Sequence, residues 1–243
     1  MSESKYLQID VEQEINGIIA AYNSLVFGIN DKAMKDENRA YGGIIRAGKG
    51  ELVENIAKHL IELSWYSLGG NLLRLEINSM KIPIPINVEY VKKIADSEIR
   101  EYILKNIDEY SYGISVDKQV FIDSKFILGM ECKAYTENAM MKRILFDFHL
   151  IKTRYPNISC FLLQLESQLG GDFSELNEKT YGSQSTHTLM SFMPEVDLKI
   201  ITLLKGERKV DEPIHQVEFR KQIEKKSIYF AISEISKGLE KYL

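Results

Sequence analysis

Residues 114–135, ISVDKQVFIDSKFILGMECKAY, decide how this chain is read. The stretch divides into two apolar runs around a short polar turn at Asp123-Ser124-Lys125, the pattern of a β-hairpin. In the second run Phe126, Ile127, Leu128 and Met130 are nearly continuous, as in a strand covered on both faces. The run ends in Glu131-Cys132-Lys133. Side chains two apart on a strand share a face, so Glu131 and Lys133 project together and Cys132 points the other way, toward the core. Two charges at the end of a buried strand lose hydration unless a partner compensates.

A three-residue turn sets Ile122 against Phe126, after which opposed residue numbers keep a constant sum. On that register Asp117 lies directly across from Glu131, with Cβ atoms about 4.5–5.5 Å apart, close enough for one divalent ion to bridge both carboxylates. A two-residue turn would make Asp117 a diagonal neighbour instead. Asp123 is the rival acid, but in Asp-Ser-Lys it is ordinary turn chemistry, and Asp117 is preferred. Two carboxylates beside an ammonium suit metal-assisted hydrolysis of a phosphodiester. They offer hard oxygen ligands for Mg²⁺ and a cation that holds or deprotonates a water. The tripeptide alone says little, because Glu-x-Lys recurs at Glu3, Glu207 and Glu224, and charges at strand ends are usually a solvated face. The hairpin is what separates Glu131 from these.

The 243 residues are 44% apolar and 27% charged, enough for a sizeable core. One domain spanning 1–243 is expected, with a core over about 48–204 and helices at 9–27 and 216–243 as elaborations. The chain has no apolar run of signal-peptide type and none near eighteen residues, so a soluble, cytoplasmic protein without a membrane partner is expected. Cys132 and Cys160, the two cysteines, fall in apolar strand-like segments. They read as buried free thiols of a reducing cytosol, too few for a zinc site. The net charge of −4 argues against a nonspecific nucleic-acid coat and permits a DNA enzyme with a local basic cleft.

Outward from the hairpin, Val11, Ile15, Ile18, Ile19 and Tyr22 give residues 9–27 a helical stripe. The polar, glycine-rich 28–50 reads as an exposed loop. Leu52, Val53, Ile56, Leu60 and Leu63 then mark a helix with Glu51, Glu54, Asn55 and Lys58 facing away. Residues 71–80 fit either a strand or helical structure. Ile82-Pro83-Ile84-Pro85-Ile86 must be extended, and Asn87 caps one helix running to about Asn106; this region reads as an insertion. After Lys133, Thr136 is the expected N-cap of a helix to Thr153. An apolar strand at 158–166 follows, then a long polar loop at 167–188, a strand at 197–204 and a C-terminal helix from about Gln216.

The order helix with Glu, hairpin, acid, Glu-x-Lys, helix, strand resembles the PD-(D/E)XK nuclease superfamily. Asp117, Glu131, Cys132 and Lys133 carry that resemblance over roughly residues 48–166, and GMECKAYTENAMMKRIL looks most like type II restriction endonucleases. Val116 stands where the family name has proline. The resemblance implies an α/β fold with a restriction-endonuclease-like core, a mixed β-sheet flanked by helices, here with helical additions. It also implies that Asp117, Glu131 and the Cys132 carbonyl bind Mg²⁺, that Lys133 positions the attacking water, and that a helix glutamate joins the site. Glu54 is the match and Glu51 the reserve; Glu54 equally suits a surface pair with Lys58.

The implied activity is site-specific hydrolysis of double-stranded DNA by a homodimer on a short palindromic sequence. Asn138, Lys142 and Arg143 are candidates for groove or phosphate contacts, as are Arg39, Arg46 and Lys49 and, in the polar loop, Gln184; a solvated surface would use the same residue types. The rivals are a repair or junction-resolving nuclease of the same fold, and a non-catalytic α/β binding protein in which Glu131 and Lys133 form a structural ion pair.

Overall fold

The computed structural model describes residues 9–33, 39–174, 176, 179–214 and 216–243, with side chains outside 27–47. Two helices open the chain, α1 (Val11–Ala33) and α2 (Arg39–Ser67). The expected loop at 28–50 is therefore helical wherever it is described. Once the stripe from Leu52 to Trp65 is packed, extending the helix adds about one hydrogen bond per residue. Packing of α2 on α1 offsets the roughly 1 kcal/mol that each glycine costs a helix.

A short 3₁₀ turn at 72–74 resolves the undecided segment toward a strand, β1 (Leu75–Asn78). Next come β2 (Ile82–Pro85), α3 (Val88–Lys92), α4 (Ser97–Lys105) and β3 (Ser111–Ile114). β2 and β3 pair antiparallel in a separate two-stranded sheet, where prolines 83 and 85 are tolerated because the strand is an edge. The single helix expected up to Asn106 is two. Asn87 caps α3 as expected, and Asp96 starts α4 by accepting hydrogen bonds from the Glu98 and Ile99 backbones.

The hairpin strands β4 (Lys118–Ile122) and β5 (Lys125–Glu137) sit at the centre of a five-stranded sheet. After β5 come α5 (Asn138–Arg154), β6 (Ser159–Gln168), α6 (Gln184–Ser191), β7 (Lys199–Thr202) and α7 (Lys225–Leu239). The sheet order is β1-β4-β5-β6-β7, antiparallel through β1, β4 and β5 and parallel through β5, β6 and β7. A mixed sheet flanked by helices was the expected α/β architecture.

One core lies between the sheet and α1, α2 and α7, around Tyr22, Leu60, Trp65, Met130 and Ile228. The other lies beneath α5, around Met141, Ile144, Phe148 and Leu162. β5 contributes to both cores: Ile127, Leu128, Met130 and Cys132 join the first, while Phe126 joins the second and Gly129 underlies Phe148 there. Both cysteines are buried free thiols.

Three expected boundaries move. Thr136 is not an N-cap, because β5 continues through Glu137 and Thr136 pairs with Ser167 of β6. The polar loop ends early, where Ser183 caps α6 through the Thr186 backbone. The C-terminal helix starts only at Lys225, after a 3₁₀ turn at 217–219. No described helix is long and apolar enough to cross a membrane.

Candidate active site

The hairpin turn has two residues rather than three. Ile122 pairs with Lys125, and Asp123 and Ser124 take φ of 49° and 63°, the left-handed pair of a type I′ turn. The register then shifts between Val120 and Phe121, so that Val120 faces Leu128 and Lys118 faces Met130. This bulge restores the alignment that a three-residue turn would have produced. One further step brings Asp117, just before β4, opposite Glu131.

The side chains meet there. Asp117 Oδ2 accepts the Cys132 backbone N–H at 2.7 Å and the Lys133 ammonium at 2.9 Å. Lys133 Nζ also donates to Glu131 Oε2 at 2.6 Å and to the Cys132 carbonyl at 3.1 Å. A single cation thus sits among two carboxylates and a carbonyl. The Cys132 side chain is in the core on the other face, so only its main chain reaches the group. Asp123 is far from this arrangement in role: it lies on the turn and pairs with Arg74 at 2.7 Å.

Burial dominates the electrostatics. It pushes Glu131 up to about 7; Lys133 opposes the shift, and Asp117 and Asp147 add to it. For Lys133 burial acts downward, but the charges and hydrogen bonds of Glu131 and Asp117 outweigh it and hold the ammonium above its usual range. The shift favours the protonated form of Lys133, an ammonium rather than a base, in this arrangement.

Glu54 reaches toward the group only indirectly. It pairs with Lys118 at 2.7 Å, next to Asp117 in sequence, and Lys58 pairs with Glu62 rather than with Glu54. Glu51 is exposed. Among the described residues no cluster of three or more acidic, histidine or cysteine side chains forms a metal-binding set.

The expected DNA contacts fall into separate groups. Lys142, Arg143 and Gln184 are exposed, and Arg143 lies 3.6 Å from Asp147. Asn138 is tied to α6: its amide nitrogen meets Ser183 Oγ at 3.4 Å and its oxygen accepts from Thr186 at 2.8 Å. Lys49 is half-buried, lowered by desolvation and countered by Glu166. The side chains of Arg39 and Arg46 lie outside the described ones.

Two neighbours of the site were not singled out from sequence. Asp147 sits on the shoulder of the buried stripe of α5, where burial raises its pKa and Arg143 and Lys133 lower it. Its signal is an acid flanking the Ile144 and Phe148 positions of the helix that follows Glu-x-Lys. Gln164 of β6 is the in-register neighbour of Lys133 and is fully buried; a glutamine inside the apolar run ISCFLLQLE is its signal.

Comparison with known proteins identifies the family. The chain is 51% identical over 232 residues to the type II restriction enzyme DdeI of Desulfomicrobium norvegicum (strain DSM 1741 / NCIMB 8310), covering 94% of this chain and 97% of that protein. This chain belongs to the type II restriction enzymes. No family model matches it. As a type II restriction enzyme it is a site-specific deoxyribonuclease of a restriction-modification system, and its mixed sheet is the corresponding nuclease core. That membership sets aside the repair and non-catalytic readings.

Proposed function

We propose that this restriction enzyme cuts double-stranded DNA with Mg²⁺ held by Asp117, Glu131 and the Cys132 carbonyl. The observation that carries this reading is the Lys133 ammonium, which stands among those three oxygens at 2.6, 2.9 and 3.1 Å. A site that already gathers oxygens around one positive charge has the hard donors that Mg²⁺ takes. The raised Glu131 fits as well, since a carboxylate pushed up by burial gains from a cation beside it. When bound, the cation would polarise the scissile phosphate and acidify a water.

The protein's own groups do the rest. Asp117 is fixed by the Cys132 N–H, so it meets its ligand without reorganising. Lys133 orients the attacking water and stabilises charge that develops on the phosphate. Glu54, through Lys118, holds the start of β4 and with it Asp117. Lys142, Arg143 and Gln184 are exposed and address phosphates or base edges, with Lys49 and Arg46 as further candidates. The enzyme works in the cytoplasm as a homodimer on a short palindrome, one active site per strand.

The test is cleavage of phage DNA in Mg²⁺. Lys133→Ala and Asp117→Ala are each expected to lower the rate by about a hundred- to a thousandfold, the usual cost of removing one such charge-stabilising group, while a gel-shift assay shows DNA binding retained. Undiminished cutting by Lys133→Ala would remove the basis for the assignment.

A further inference from the structure

Gln164 is a polar side chain in a place that calls for an apolar one. It lies in the middle of β6 with no exposure, flanked by Leu163 and Leu165. Its amide nitrogen donates to Thr202 Oγ1 of β7 at 3.0 Å, whereas its oxygen has no hydrogen-bond partner among the described residues. Buried acceptors without partners are rare, and one in a native core calls for an explanation. With the nitrogen committed to the β7 side, the oxygen is the end available to β5. The residue paired with Gln164 on β5 is Lys133. Paired residues of neighbouring strands share a face and lie about 5 Å apart, within reach of a lysine and a glutamine. The positive charge of Lys133 favours this amide orientation, oxygen toward the cation and nitrogen away from it.

Lys133 already has three acceptors, so Gln164 has no part to play while the ammonium sits among them. Those are the oxygens proposed above to hold the divalent cation. A divalent cation entering among these oxygens would repel the ammonium strongly in a buried site. An ammonium moved off them would need an uncharged acceptor close to its own strand position.

We infer that Gln164 is a positioning residue for Lys133: its side-chain oxygen receives the ammonium displaced by the divalent cation and holds it beside the reacting phosphate. Thr202 in turn fixes the amide. This rests on the proposed reading of the oxygen cage as a cation site, and the experiment separates the two.

Nitrogen-15 lysine-labelled enzyme is examined by NMR with and without Ca²⁺, and the Lys133 ammonium signal is assigned by its loss in Lys133→Arg. The wild type should show a slowly exchanging signal in both states, at different positions. In Gln164→Leu the signal without Ca²⁺ should remain, which also reports an intact fold, and the signal with Ca²⁺ should disappear. Gln164→Glu keeps an acceptor and should keep both signals; if Gln164→Leu does not fold, loss of the Ca²⁺-state signal in Gln164→Glu would overturn the inference.

In Mg²⁺, Gln164→Leu should lower kcat by about ten- to a hundredfold, as supporting residues around metal sites do, with KM for DNA unchanged. Adding it to Lys133→Ala should cost nothing more, since two residues acting as a unit are not additive. A Ca²⁺-state signal that persists in Gln164→Leu, or additive losses in the double variant, would overturn the positioning role while leaving the cage reading intact. A wild-type signal unmoved by Ca²⁺ would overturn both.

Discussion

At the residue scale, Glu131 shows what it costs to place a carboxylate at the end of a covered strand. Its side chain is 9% exposed, and burial lifts its pKa from the ordinary 4.5 to about 7 despite the ammonium 2.6 Å away. The folded protein therefore binds this proton more tightly than the unfolded chain does. Stability from that proton is complete below about pH 4.5 and is lost as pH rises through about 7. With metal chelated, wild-type stability relative to Glu131→Gln should fall across this window, measured by thermal melts at half-unit steps. A flat difference between the two proteins would mean that Glu131 is ionised as easily as a surface carboxylate. The choice of Asp117 over Asp123 was legible from residue type, because an aspartate in a turn has a local use and Asp123 has one with Arg74. The partners of Glu54 and Gln164 were not, since Lys118 and Thr202 are set by tertiary pairing.

At the scale of elements, the two hairpin strands and the alignment of Asp117 with Glu131 were read correctly, although the turn was not. Ser124 has no special preference for positive φ, so a two-residue type I′ turn over Asp123-Ser124 carried little signal. The bulge near Val120 was equally silent, yet the two deviations cancel in the register that reaches Asp117. Hydrophobic patterning survives such local shifts, because both strands must still bury their apolar faces. Helix boundaries fared worse. Glycines near 42–50 suggested a loop, whereas α2 runs through that stretch and packs on α1. Thr136 suited a cap by chemistry, but pairing with β6 keeps it in the strand. The close seat of α5 on β5 is testable at Gly129, where an added Cβ would lie 2.8 Å from Phe148 Cε1 and 3.4 Å from Val116. Gly129→Ala should destabilise the enzyme by about 1–3 kcal/mol, as overpacking does, read from urea unfolding. A change within experimental error would show that Phe148 has room to move.

At the scale of the whole molecule, architecture and chemistry agree. The five-stranded sheet brings Asp117, Glu131 and Lys133 together, the amphipathic helices cover both sides, and 51% identity over 94% of the chain to a type II restriction enzyme places the chain in that family. The proposed homodimer predicts a sedimenting species of twice the 28.0 kDa chain mass; a purely monomeric profile at the concentrations that cut DNA would exclude it. The most direct test of the account is calorimetric titration with Ca²⁺, an ion that seeks oxygen ligands. Wild type should bind it, Asp117→Ala and Glu131→Gln should bind it at least about tenfold more weakly, and Lys133→Ala should bind it as tightly or more so, because no ammonium then competes for the oxygens. Equal affinity in all four proteins would place the ion elsewhere and contradict the claim that these side chains converge on one divalent cation.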